Sequence, residues 1–333
     1  MITHTYDYGW GPELETKKLE AEILAQYLRP FAEDSSSTVI INNTWYSDQA
    51  HERTVAGLEK NKPDRIVLVA MIDAANCYPE RVRPWANDIR CVGYYDAPDD
   101  IDFWALAVHR WMTESDGDLL SPARIDTAYM CLNRKPHWHR QRLYDELVSA
   151  NIVDQGLVSM GAAINGASPQ RSLLTDISVS DIKYNPNPGV EQTGLVNDIM
   201  SLGHASNWCR MLLNIVTETQ FDIRRTRFVS EKIYKPIIGL RPFLVHARDG
   251  AVPWLTARGF EPYVQDFADI TDLDLADYHN TVPFLGVLCE QGVLYWQKKL
   301  LDLQPKILYN RNRFDQYVQE IQLKIHEGIQ CQI

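Results

Sequence analysis

The sequence SEK at 230–232 carries the strongest chemical signal in the chain. It sits inside 212–245, LLNIVTETQFDIRRTRFVSEKIYKPIIGLRPFLV, between two apolar runs that read as buried strands. Ser230 is the expected N-cap of a helix, with Glu231 and Lys232 in its first turn. The positive end of a helix attracts phosphate. Lys232 adds a charge there, and Glu231 is a good acceptor for ribose hydroxyls. Glu218 stands at the mouth of the preceding polar loop. On spacing alone the same residues also read as a solvated first turn.

Two further groups could do chemistry. The stretch RKPHWHRQR at 134–142 concentrates Arg134, Lys135, Arg140 and Arg142 at one helix start, an anion site by charge and geometry. Ordinary surface basicity and a nucleic-acid patch are the other readings. His137 and His139 hint at a metal, but no third ligand accompanies them. Asp73 follows an apolar run at 66–71, which brings its carboxylate to the carboxyl edge of a sheet, where open α/β sheets place ligands. It reads equally as a strand-end residue capping a turn. Asp272 and Asp274 fall in an acidic run, 269–277, that reads as a solvated helix edge rather than a metal motif.

The elements that must position these residues alternate. Strands are expected at 2–6, 38–41, 65–71 and 89–95, with helices at 13–28, 48–60 and 101–112. The run IVLVAM at 66–71 is apolar throughout, as in a strand covered on both faces. A polar break at 113–121 ends in Ser121-Pro122, and the pattern restarts: strand 128–132, helix 137–150, strand 156–160, loops with at most short elements over 161–194, strand 211–217, helix 230–239, strand 242–246 and helix 252–258. From 282 to 328 the chain reads as mainly helical. The expected class is α/β, with two Rossmann-like domains facing a cleft: 1–122, 123–304, and a C-terminal helical segment, 305–333, returning to the first domain.

Composition narrows the partners. Of a net charge of −11, nearly all falls in 1–126, which holds 12 Lys and Arg against 22 Asp and Glu; the rest holds 21 against 22. So acidic a front half is a poor match for polyanions. No apolar run approaches the roughly 20 residues that span a bilayer. The first residues lack a basic stretch followed by an apolar one, so no secretory signal and a cytoplasmic location are expected. Six scattered cysteines (77, 91, 131, 209, 289, 331) form no C-x-x-C pair and read as free thiols, with Cys91, Cys131 and Cys209 in apolar runs that look like strands.

The segment 212–245 resembles the donor-binding motif of the α1,3-fucosyltransferases and related GT-B glycosyltransferases. The likeness rests on Val216-Thr217-Glu218-Thr219, Phe228-Val229-Ser230-Glu231-Lys232-Ile233 and Arg241-Pro242-Phe243. A second, weaker likeness covers the strand ending in Asn133-Arg134, with Arg140 where that family has a phosphate-binding arginine. A third and fainter one places Asp73 where the family has a catalytic carboxylate, there usually Glu; His4, Asp7, Glu80 and Asp96 are substitutes. The resemblance implies an inverting GT-B enzyme that moves a sugar from a nucleotide-sugar, UDP- or GDP-linked, to a glycan or other hydroxyl acceptor. It implies a donor site of Asn133, Arg134, Arg140, Glu218, Phe228, Ser230, Glu231 and Lys232, Asp73 as base, no required cofactor and no metal. Rival readings are a phage-type DNA glycosyltransferase acting on a modified base, a non-catalytic sugar-nucleotide or glycan-binding protein, and a nucleotide-sugar epimerase.

Overall fold

The computed structural model describes residues 37–42, 65–71, 88–94, 102, 105, 108–109, 119–133, 137–161, 171–173, 202, 205–218, 221, 229–248 and 251–330. The protein is mixed α/β and divides into two compact units, 1–107 with 318–333, and 108–317. In the first unit β1 (Ser37–Asn42), β2 (Arg65–Met71) and β3 (Asp88–Tyr94) form a parallel sheet in sequence order. Ile40 stands opposite Leu68, and Leu68 opposite Cys91. His4, Asp7, Asp73, Glu80 and Asp96 lie outside the described residues.

The second unit carries a separate five-stranded sheet. Its strands are β4 (Thr127–Asn133), β5 (Gly156–Gly161), β6 (Arg171–Leu173), β7 (Met211–Val216) and β8 (Phe243–Val245), in the order β6-β5-β4-β7-β8. All pairs are parallel except β5 with β6. β7 is buried at every position, and β4 at all but Leu132. Strands covered on both faces need such continuous apolar runs.

Between β4 and β5 runs α1 (Trp138–Ser149), which buries His139, Leu143 and Leu147 at helical spacing, with Arg140 beside them. It ends where Asn151 turns left-handed at φ 56, a conformation that Asn tolerates. α2 (Ala205–Arg210) leads directly into β7. Cys209 therefore belongs to a helix rather than to the expected strand, and it is buried there as a free thiol.

After β7 comes α3 (Glu231–Ile238), followed by β8 and α4 (Val252–Ala257). α3 stops one residue short of the expected end, with Gly239 as its C-cap at an ordinary φ of −73. The left-handed residue is Leu240, at φ 53. Glycine is required at 239 for space instead: a Cβ there would overlap the Trp208 ring.

α5 (Thr281–Gln330) is interrupted at Gly292, whose φ of 76 suits glycine. The Leu288 carbonyl, just before the interruption, accepts the Trp296 indole N–H at 2.8 Å. The acidic run 269–277 is solvated as expected, with Asp269, Asp272, Asp274 and Asp277 all exposed, but it forms turns and bends rather than a helix edge. Asp269 pairs with Lys299 at 2.6 Å, and Asp274 and Asp277 accept backbone amides of their own turns.

Candidate functional site

The strand order places a reversal between β4 and β7. From β4 the chain crosses through α1 to β5 on one side, and later strands build outward through β7 and β8 on the other. Open α/β sheets bind ligands outside the carboxyl ends of the strands at such a switch point. Here those ends carry Asn133, Thr217 with Glu218, and His246.

Asn133 and Thr217 face each other across the reversal, and the Thr217 hydroxyl donates to Asn133 Oδ1. Both are buried. The Asn133 amide also reaches Cys131 Sγ at 3.3 Å, and burial pushes that thiol up to about 11. The first turn of α1 is then tied to the end of β7. Arg140 Nη2 donates to the Thr217 carbonyl at 2.8 Å, and His139 Nε2 lies 2.9 Å from the Glu218 carbonyl. Arg140 is only 3% exposed, so its guanidinium is part of the packed edge.

The Glu218 side chain turns the other way, to the head of α3. Its carboxylate accepts the Ser230 amide at 3.1 Å and the Ser230 hydroxyl at 2.5 Å. Ser230 Oγ in turn accepts the Lys232 amide at 3.4 Å, as an N-cap should, and Lys232 Nζ at 3.2 Å. Lys232 Nζ also meets Glu231 Oε1 at 2.5 Å. Lys232 therefore pairs with the buried Glu231 and reaches the buried Glu218 through Ser230 Oγ and by its charge.

The acidities of the two carboxylates diverge as a result. Burial raises the Glu218 pKa, and the Glu231 charge adds to the rise, against Lys232 and the Ser230 hydrogen bonds. Burial also works on Glu231, but Lys232, Lys235 and hydrogen bonding outweigh it and hold its pKa below the ordinary value.

Of the residues expected from the sequence, the structure brings Asn133, Arg140, Glu218, Ser230, Glu231 and Lys232 to the same edge of the sheet. Arg134 and Phe228 lie outside the described residues. Sequence reasoning gave no site role to Thr217, Phe221, His246 or Tyr278, which also gather at this edge. Each lies in or just after an expected strand, or in a turn before an expected helix, so the signal available was position at strand ends rather than a motif. His139 does not pair with His137 as a ligand set. The two rings stack 5.8 Å apart, and His139 Nε2 is engaged by a carbonyl.

No family model, curated protein or solved structure matches the chain. Among the described residues no helix is long and apolar enough to cross a membrane, and no group of three or more His, Cys, Asp or Glu is placed to hold a metal ion.

Proposed function

We propose that the protein is a glycosyltransferase built from two Rossmann-like domains of the GT-B kind, moving a sugar from a nucleotide-sugar to an acceptor hydroxyl. The observation that carries this reading is the junction of Glu218 with the Ser230-Glu231-Lys232 head of α3 at the sheet's switch-point edge. Carboxylates at that head accept hydroxyl donors, which suits the ribose diol of a nucleotide. The backbone amides of Ser230, Lys232 and Ile233 already have acceptors in the protein. Lys232 Nζ, on a side chain 28% exposed, is therefore the group that supports diphosphate binding.

Asp73, which follows β2 in sequence, supplies the base in this proposal. It takes the proton of the acceptor hydroxyl while that oxygen attacks the anomeric carbon and the bond to the diphosphate breaks. A positioned base and a cation at the leaving group are what such a transfer needs. The acceptor is a glycan or another hydroxyl compound, and a cytoplasmic site of action fits nucleotide-sugar chemistry.

The test is binding followed by turnover. UDP, GDP and their common sugar conjugates are screened by thermal shift; a ligand at 100 times its Kd stabilises by about 2.7 kcal/mol. Any conjugate that binds is then assayed for nucleoside diphosphate release with a panel of acceptors. Asp73→Asn should keep donor affinity and lose at least about 100-fold in turnover. Failure of every nucleotide to shift the melt sinks the reading; binding without turnover across the panel leaves a sugar-nucleotide-binding protein.

A further inference from the structure

Beside the head of α3, at the same sheet edge, aromatic rings from four parts of the chain converge. Trp138 and His139 open α1, Phe221 follows β7, His246 follows β8, and Tyr278 precedes α5. Phe221 lies at their centre. Trp138 and Tyr278 meet it edge-on at 5.0 and 4.8 Å, His139 stacks on it at 5.1 Å, and His246 is tilted to it at 5.5 Å. These five residues line one recess together with Arg142, Glu146 and His279.

Two of the histidines in the recess, His139 and His246, are uncharged at neutral pH, and its charge is that of the Arg142–Glu146 ion pair. Burial lowers the His139 pKa to about 4 and the His246 pKa to about 3. The tautomer of His139 also follows from geometry. A carbonyl oxygen only accepts, so the Nε2 that faces the Glu218 carbonyl carries the hydrogen. Nδ1 is then an acceptor. It is buried and meets no hydrogen-bond partner among the described residues, which is unusual for a buried polar atom. Trp138, by contrast, is 60% exposed.

We infer that this recess marks one edge of a nucleobase site, in which a flat heterocycle stacks on the exposed Trp138 at its mouth and its ring N–H reaches His139 Nδ1 through one water held in the recess. The inference rests on the nucleotide reading above and gives it a location. Glu218 links the two places within one residue: its carbonyl holds His139 and its carboxylate holds Ser230. A base stacked on Trp138 therefore lies at the same sheet edge as the carboxylates proposed for its ribose. Stacking on an exposed aromatic tolerates any base, and selectivity falls to the N–H contact.

The experiment uses the full chain and titrates uridine, guanosine, UDP, GDP and free monosaccharides by calorimetry, against the parent and two variants. Trp138→Ala should weaken every nucleoside or nucleotide that binds by at least about fivefold, the low end for loss of a stacked base. Trp138→Phe should restore most of that affinity. Because the indole is largely exposed, neither variant should shift the unliganded melt. Blocking the ring N–H, as in 3-methyluridine or 1-methylguanosine, should weaken binding to the parent. Nucleosides that bind through Trp138 without sugar transfer would leave the base site standing and remove the transferase reading. Sugar-nucleotides that bind and turn over equally well in Trp138→Ala would do the reverse. A free monosaccharide whose binding needs Trp138, or a parent that binds no nucleoside or nucleotide, overturns the inference.

Discussion

The Glu218 carboxylate receives both the amide and the hydroxyl of Ser230, a residue 12 positions later, so the head of α3 is capped from the end of β7. A negative group at a helix N-terminus is favourable, but this one is buried next to Glu231, and its pKa is raised. The sign follows directly. Above the ordinary value of 4.5 the folded state holds a proton that the unfolded state has lost, so stability falls as pH rises from there through the folded pKa. Glu218→Gln removes this titration. Its stability relative to the parent should rise with pH across that window, measured as urea midpoints from pH 4 to 8. Parallel curves would show that Glu218 is not strained by its charge.

The two buried histidines have the opposite dependence. Their folded pKa values, about 4 for His139 and about 3 for His246, lie below the ordinary 6.5. In acid the unfolded chain takes up protons first, so stability is lost as pH falls through 6.5 toward those values. The imidazole resonances of both should stay in the neutral form at pH 5.5 in NMR spectra of the folded protein. A midpoint near 6.5 for either would mean that its ring is open to water.

Lys232 is expected from the sequence to serve ligand binding alone. The geometry adds a structural duty, since its ammonium meets Glu231, whose side chain is only 4% exposed. Lys232→Ala strands the buried Glu231 carboxylate and should cost about 1–3 kcal/mol of unliganded stability. Combining it with Glu231→Gln should recover part of that loss. A double variant no better than the single one would place the stabilising contact of Lys232 elsewhere.

Much of the second unit was legible because its strands are continuous apolar runs. The expected strands at 128–132, 156–160, 211–217 and 242–246 match β4, β5, β7 and β8 to within one or two residues. The Ser230 cap was legible for the same local reason, a short polar side chain followed by helix formers. Contacts between distant segments left no local trace. Nothing near Asp269 in sequence marks Lys299 as its partner, so that ion pair is not legible, although the exposure of the acidic run is. The aromatic recess escaped notice because Phe221, His246 and Tyr278 come from three separate connections and meet only after the sheet has formed. Cys209 reads as strand because Trp208 and Cys209 are separated from the apolar run of β7 by Arg210 alone.

Arg140 separates a ligand residue from a framework residue most sharply. As a phosphate ligand alone it would be dispensable for folding, and its removal would be felt only by nucleotide. The structure buries it and sets Nη2 on the Thr217 carbonyl at 2.8 Å, beside the Asn133–Thr217 pair that closes the switch point. Arg140→Ala should therefore lower unliganded stability by about 1.5–3 kcal/mol, the range for a hydrogen bond to a charged group. Arg140→Lys should recover only part, because an ammonium cannot reproduce the planar fork of the guanidinium. Urea unfolding without ligand measures the first effect, and calorimetry with nucleoside diphosphate on the surviving folded protein measures any second. A variant that melts like the parent yet loses nucleotide would make Arg140 a ligand residue and nothing more. One that loses stability but binds nucleotide unchanged would assign the diphosphate to Lys232 without help from α1.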